Sequence, residues 1–159
     1  MNIRILAVGS IKESFYKEAV AEFKKRLTRY ALLEIIEVKD EKTVEKASEA
    51  IDRKIKDAEG KRLLSKLNES DFVVVLAIEG QKLSSTKFSQ KLAEWEVSAG
   101  SRLTFIIGGS IGLCDELIKR ANVLLSFSDM TFPHQLMRVI LCEQLYRSYR
   151  IRNNEPYHK

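Results

Sequence analysis

The sequence has few of the residues that build metal or disulfide sites, and it has no long apolar run. Two cysteines occur in 159 residues, and Cys114 and Cys142 stand far apart with no Cys or His at ligand spacing. This argues against a metal centre or a disulfide framework, so we predict two small buried hydrophobic side chains. Because no apolar stretch reaches about 18 residues and no basic leader precedes one, we expect a cytoplasmic protein without membrane contact.

Composition predicts a single domain over residues 1–159, with basic charge at both ends. The chain is 45% hydrophobic and 31% charged, and its net charge is +5. Residues 1–30 contain seven basic and three acidic side chains, and residues 134–159 contain five and two. This distribution favours a polyanionic partner such as RNA, although a modest basic excess also serves solubility alone.

Apolar runs rich in β-branched and aromatic residues predict five strands, separated by helices. The strands are predicted at residues 3–8, 32–38, 72–78, 103–107 and 123–127. Helices are predicted at residues 16–30, at 43–67 with Gly60 as a possible break, from Ser84 or Ser85 to Gly100, at 115–121, and from Pro133 to about Ile151. The alternation predicts an α/β fold, a parallel sheet flanked by helices.

The last predicted helix has a wider apolar surface than packing on one sheet requires. Its apolar residues are Leu136, Met137, Val139, Ile140, Leu141, Leu145, Tyr146 and Tyr149. We expect burial on two sides, against the chain's own sheet and against a second subunit of a homodimer. The alternative is a helix at the centre of a monomer's core.

Residues 105–113, FIIGGSIGL, predict a buried strand that runs into a glycine turn. Such a turn lets a ligand approach the backbone closely, and ligands of open α/β sheets bind at the carboxyl ends of strands. The GGxxG spacing differs from the dinucleotide fingerprint and from the P-loop, which disfavours a nucleotide-dependent oxidoreductase. The turn predicts either a nucleotide-like cofactor site or a tight turn without a ligand.

A polar and aromatic loop, residues 124–135, follows the fifth predicted strand at the same sheet edge. Its hydroxyls, carboxylate and backbone suit an adenosine, with apolar walls from Phe127, Met130 and Phe132. The alternative is a capping loop whose aromatic side chains pack in the core. His134 is either a catalyst or, more commonly at the start of a helix, a structural hydrogen-bonding residue.

Arginines alternate with aromatic residues in the C-terminal segment, residues 146–159. Arginine binds phosphate and aromatic rings stack on unpaired bases, so the segment predicts contact with RNA. A frayed chain end is the alternative.

Three segments together resemble one known family. They are IIGGSIGL at residues 106–113, LSFSDMTFPHQLMRVILCEQLYRSYRI at 125–151 and NNEPYHK at 153–159. They are similar to the ribosomal large-subunit methyltransferase H proteins of the SPOUT superfamily, and the resemblance spans essentially the whole chain. It implies an α/β fold with a C-terminal trefoil knot, a homodimer, and methylation by S-adenosylmethionine (SAM) of N3 of a pseudouridine in 23S rRNA of the assembled ribosome.

The resemblance also implies roles for individual residues. The expected SAM-binding residues are Leu76, Gly108, Phe127, Ser128, Asp129, Met130, Thr131 and Phe132, with Gly109 and Ser110 as weaker candidates. Among the expected catalytic residues, Arg147 provides positive charge and Glu143 orients it. His158 accepts a proton, and Tyr157 stacks on or hydrogen-bonds to the flipped base.

A different class of function stays open at this point: a basic ribosome- or RNA-binding protein without catalysis. Measurable affinity for SAM distinguishes the two. In either case we expect an N-terminal basic face, formed by Lys17, Lys24, Lys25 and Arg29, to contact the rRNA backbone.

Overall fold

A computed structural model describes all residues, 1–159, as a five-stranded sheet between two layers of helices. The strands are β1 (Asn2–Val8), β2 (Leu32–Val38), β3 (Phe72–Lys82), β4 (Arg102–Ile107) and β5 (Val123–Ser126). Their order is β2-β1-β4-β3-β5, and every neighbouring pair is parallel. The predicted α/β class with a parallel sheet is therefore confirmed.

Four helices connect the strands, and a fifth follows the last strand: α1 (Ser14–Leu27), α2 (Glu49–Leu64), α3 (Ser85–Ala99), α4 (Asp115–Arg120) and finally α5 (His134–Arg152). The predicted ends of α3 are confirmed, because the Ser84 side chain accepts a hydrogen bond from the Lys87 amide and Gly100 ends the helix at a φ of +63°. Pro133 directly precedes the first residue of α5, as expected for a residue without an N–H donor.

Helix α2 is continuous, so the break at Gly60 that the sequence left open does not occur. The helix begins after Ser48, later than predicted, and the Ser48 side chain accepts a hydrogen bond from the Ile51 amide. Gly60 fits a close contact with the residue that precedes α4, since a Cβ at position 60 would lie 2.2 Å from the Cys114 Sγ. Its low helix propensity is therefore offset by close packing between α2 and α4.

Gly60→Ala is expected to lower the free energy of unfolding by about 1–3 kcal/mol. The new methyl group would overlap the buried Cys114 sulfur, and this overpacking outweighs a helix-propensity gain of about 1 kcal/mol. Urea unfolding followed by circular dichroism measures the change. In the double variant Gly60→Ala/Cys114→Ala the sulfur is absent, so most of the loss should be recovered. A single variant as stable as the native chain would contradict this account of the contact.

Two apolar cores lie on the two faces of the sheet. In β1, Ile3, Ile5 and Ala7 belong to the larger core, with α1, α3 and α5, whereas Leu6 and Val8 belong to the smaller core, with α2 and α4. Burial on both faces is typical of parallel strands, and it explains why these strands read as continuous apolar runs.

Helix α5 packs between α1 and α3 on one face of the sheet. Leu141, Cys142 and Leu145 are completely buried there. Much of the wide apolar surface of α5 is therefore explained within one chain. Leu136 and Ile140 stay partly exposed and belong to neither core, so the homodimer remains a prediction with this stripe as its candidate interface.

Both cysteines are buried and unpaired, which confirms that they act as small core side chains. Burial raises the pKa of the Cys142 thiol to about 12. No helix combines the length and the apolar character needed to cross a membrane.

Candidate active site

The carboxyl ends of three adjacent strands, β4, β3 and β5, meet at a cavity of about 470 Å³. This volume lies within the range of roughly 300–1,000 Å³ that is usual for small-molecule sites. The structure brings nearly all the predicted cofactor-binding residues to this cavity. Its walls include Leu76, Gly108, Gly109, Ser110, Phe127, Ser128, Met130, Thr131 and Phe132.

The glycine turn after β4 presents backbone to the cavity and leaves no room for side chains. A Cβ at Gly108 would lie 2.8 Å from the Leu113 Cδ2, and one at Gly109 would lie 2.6 Å from the Glu59 Oε1. The Gly112 amide donates a hydrogen bond to the Gly109 carbonyl, at 3.1 Å, and closes the turn. Close packing by Leu113 and Glu59 therefore requires glycine at both positions, and the two glycines line the cavity with their main chain.

The loop after β5 is held in shape by its own hydroxyls. The Ser126 Oγ donates to the Ser128 carbonyl at 3.0 Å, and the Ser128 Oγ accepts from the Met130 amide at 3.0 Å. Phe127 packs edge-on against Phe88 of the larger core, with ring centroids 6.1 Å apart. The loop is thus both a wall of the cavity and a cap on the core.

Asp129 is the one predicted cofactor-binding residue that does not line the cavity. Its carboxylate forms an ion pair with Lys82, at 2.5 Å, and its side chain is 78% exposed. The pair joins the loop to the end of β3, so Asp129 contacts the rim of the site rather than its interior.

Sequence patterns missed two charged residues of the cavity wall, Lys56 of α2 and Glu79 of β3. Neither belongs to a motif, and α2 contains so many charges that no single one stands out. His134 also lines the cavity. Burial, and then the charge of Arg138, lowers the pKa of His134, so its imidazole is neutral near neutral pH.

Arg138 connects the start of α5 to the end of β1. Its side chain is 1% exposed, and it donates hydrogen bonds to the carbonyls of Val8, at 3.1 Å, and Gly9, at 2.7 Å. It also forms an ion pair with Glu37 at 2.5 Å. Because His134 lies one helical turn before it, this buried anchor fixes the position of the imidazole at the cavity wall.

A second, polar cavity of about 470 Å³ adjoins the first and shares Gly109, Ser110 and His134 with it. Glu59 lines this cavity and is 4% exposed, and its Oε2 accepts a hydrogen bond from the Glu41 amide at 3.0 Å. Its Oε1 is buried without a hydrogen-bond partner. Burial therefore raises the pKa of the Glu59 carboxyl above its ordinary value.

The four predicted catalytic residues form a second group, here called the C-terminal cluster: Glu143, Arg147, Tyr157 and His158. The Arg147 guanidinium donates twice to the Glu143 Oε1, at 2.9 and 2.6 Å, and its Nη1 lies 3.2 Å from the His158 Nδ1. The Tyr157 hydroxyl donates to the same Glu143 oxygen at 3.0 Å. The hydrogen bond to Glu143 raises the pKa of Arg147, and burial raises the pKa of Tyr157.

The chain end is folded back rather than frayed. Glu155 forms ion pairs with Arg150 and, at 3.6 Å, with Arg29 of the segment after α1. It also accepts a hydrogen bond from the Tyr30 hydroxyl at 2.5 Å. These contacts hold the tail beside the C-terminal half of α5.

The cavity and the C-terminal cluster are separated along α5. Met137 lines the cavity, and Arg147 follows it ten residues later. A helix rises about 1.5 Å per residue, so about 15 Å of helix lies between them. Within one chain, the cluster does not face the cavity directly.

A parallel α/β domain with a small-molecule cavity at a glycine turn is the class that the fold and the site define. The family model described as "Predicted SPOUT methyltransferase" matches residues 1–158. Three similar curated proteins, each aligned over 100% of both chains, have the name Ribosomal RNA large subunit methyltransferase H. They come from Bifidobacterium animalis subsp. lactis (52% identical), Clostridioides difficile (54%) and Streptococcus pneumoniae (50%). The chain belongs to the SPOUT methyltransferases and, among them, to the large subunit methyltransferase H family.

Proposed function

We propose that this chain is a SAM-dependent methyltransferase acting in the cytoplasm on N3 of a pseudouridine in 23S rRNA of the assembled ribosome. Family membership supports methyl transfer, and the names of the relatives support ribosomal RNA of the large subunit as the substrate. The trefoil knot of SPOUT proteins belongs to the same proposal. The observation on which the proposal rests is the glycine-turn cavity of the family's fold.

The cavity fits SAM in size and chemistry. Its apolar walls suit an adenine ring, and Gly108 and Gly109 of the glycine turn line the cavity without side chains of their own. The cofactor would supply an electrophilic methyl group on its sulfonium. The residues that would hold it are Leu76, the glycine turn and the loop from Phe127 to Phe132, with Asp129 at the rim.

A homodimer explains how the C-terminal cluster reaches a cavity. An antiparallel crossing of α5 with its symmetry mate, centred on the partly exposed Ile140, would bury the stripe that the monomer leaves open. Arg147 lies seven residues after Ile140, and Pro133 lies seven residues before it. Two-fold symmetry would therefore place Arg147 beside Pro133 of the partner subunit, next to the cavity wall. Each active site would combine one subunit's cavity with the other subunit's cluster.

The cluster suits the chemistry at N3 of the base. N3 must lose its proton to become a nucleophile, and the guanidinium of Arg147 would stabilise the negative charge that develops. Glu143 holds that guanidinium with two hydrogen bonds. The His158 imidazole is the candidate proton acceptor, and the Tyr157 ring is the candidate surface for stacking on the flipped base.

The basic face of α1 and its following turn would contact the RNA backbone. Lys17, Lys24, Lys25 and Arg29 are all exposed. Arg29 contacts Glu155 of the tail, which places this face next to the C-terminal cluster. Binding through these residues should weaken as the salt concentration rises, because phosphate contacts release counterions.

The test is incubation of the purified protein with methyl-labelled SAM and either assembled ribosomes lacking the modification or naked 23S rRNA, followed by mapping of the label. We expect label on one pseudouridine and only with assembled ribosomes. Label on naked rRNA would show that the enzyme does not need the assembled ribosome as its substrate. If verified folded protein methylates neither substrate, the non-catalytic RNA-binding alternative replaces this proposal.

A further inference from the structure

Lys56 is an unpaired cation on the wall of the cavity. It projects from α2, is partly buried, and has no carboxylate oxygen within 4.0 Å of its ammonium nitrogen. Other cations around the site have partners: Lys82 pairs with Asp129, Arg138 with Glu37, and Arg62 with Glu41. An ammonium without a carboxylate partner at the wall of a cavity is available to an anionic group of a ligand.

The face of α2 that contains Lys56 is fixed against the glycine turn. Glu59 and Gly60 lie three and four residues later, so the three residues share one side of the helix. Glu59 packs against Gly109, and Gly60 packs against Cys114 at the other end of the turn segment. Since both ends of the segment contact α2, the base of the Lys56 side chain is held at a constant position beside the cavity.

The other charged residues that line the cavity determine whether Lys56 has a partner within the protein. Among the lining residues, Glu79 is the only carboxylate and His134 the only other titratable group, and Glu79 is exposed. Glu79 forms no ion pair with Lys56 and the other walls carry no negative charge, so no residue of the cavity neutralises Lys56. The counter-charge is therefore expected on the ligand itself.

We infer that Lys56 binds the α-carboxylate of the methionine portion of SAM and so sets the direction in which the cofactor lies. This inference rests on the proposed function. The cofactor has two cationic groups, the sulfonium and the α-ammonium, and one anionic group, the carboxylate. Lys56 would repel the first two, so the favourable orientation brings the carboxylate to α2 and leaves the adenosine for the apolar walls at Phe127 and Leu76.

The test compares the dissociation constants of two ligands, SAM and decarboxylated SAM, by isothermal titration calorimetry. The proteins are the native chain, Lys56→Met and, as matched control, Lys54→Met, which alters an exposed lysine of the same helix that lines neither cavity. We expect Lys56→Met to weaken SAM binding about 10-fold, the effect of one charge-assisted hydrogen bond. The native chain should prefer SAM over the decarboxylated ligand by a similar factor, and Lys56→Met should lose that preference.

The outcomes separate this inference from the function on which it rests. Equal weakening of both ligands in Lys56→Met would mean that the lysine packs against the site without contacting the carboxylate, and the inference would fail. Unchanged SAM affinity with a raised KM for ribosomes would assign Lys56 to an RNA phosphate and would also overturn it. Absence of SAM binding to the native chain would instead reject the proposed function. Lys56→Arg keeps the charge and should retain most of the preference.

Discussion

Arg147→Ala is expected to lower the rate of methyl transfer about 10²–10³-fold and to leave the dissociation constant of SAM within about twofold. The guanidinium is held by Glu143 and lies next to His158 and Tyr157, about 15 Å along the helix from Met137 of its own cavity. Its removal would take away the charge that stabilises the deprotonated base. Single-turnover methylation of ribosomes and calorimetry with SAM measure the two quantities separately.

Two further variants test whether Arg147 acts through its geometry. Arg147→Lys keeps a positive charge but loses the paired hydrogen bonds to Glu143, so it should recover only part of the rate. Removal of residues 157–159 should likewise slow methylation without a large effect on SAM affinity. Arg53→Ala, on the exposed surface of α2, is the control. If Arg147→Ala lowered stability and SAM affinity as much as rate, the residue would be structural.

Mixed dimers of Gly108→Arg and Arg147→Ala subunits are expected to regain activity that neither variant has alone. Gly108→Arg places a long side chain where even a Cβ would lie 2.8 Å from Leu113, so it should abolish SAM binding. In a mixed dimer, the intact cavity of the Arg147→Ala subunit faces the intact C-terminal cluster of the other. One of the two sites is then complete, and random mixing of equal amounts should restore about a quarter of the native rate.

The contrary result is equally informative. If each active site lay within a single chain, both subunits of the mixed dimer would remain defective, and no activity would return. Differently tagged subunits allow the mixed dimer to be isolated before the assay, which excludes failure of exchange. A protein that runs as a monomer of about 18 kDa in light scattering would remove the shared-site proposal altogether.

Local patterns predicted the elements of this fold well, because apolar runs and caps act over short distances. The run at residues 103–107 and the cap at Ser84 needed no knowledge of the rest of the chain. The sequence left the role of Gly60 open because that role depends on Cys114, a residue remote in sequence. A glycine lowers the stability of a helix that packs against nothing at that position. Where another segment approaches the helix closely, glycine is instead the residue that allows the contact.

In the candidate site, too, some residues could be predicted from local sequence patterns and others could not. The glycine turn and the loop at residues 127–132 stood out because each has an unusual local composition, and both line the cavity. Lys56 and Arg138 were not singled out, because only the fold places Lys56 at the cavity wall and Arg138 beside Glu37. Asp129 shared the loop's pattern, but its ion pair with Lys82 turns it toward solvent.

The position of α5 between α1 and α3 bears on how fast the domain can fold. Leu141, Cys142, Leu145 and Tyr149 complete the larger core that β1 and α1 begin, although more than 100 residues separate them from those elements in the sequence. Contacts between segments so remote in sequence require closure of a long loop, which slows their formation. The larger core is therefore expected to close late in folding, and removal of α5 would leave the apolar surface of β1 and α1 uncovered.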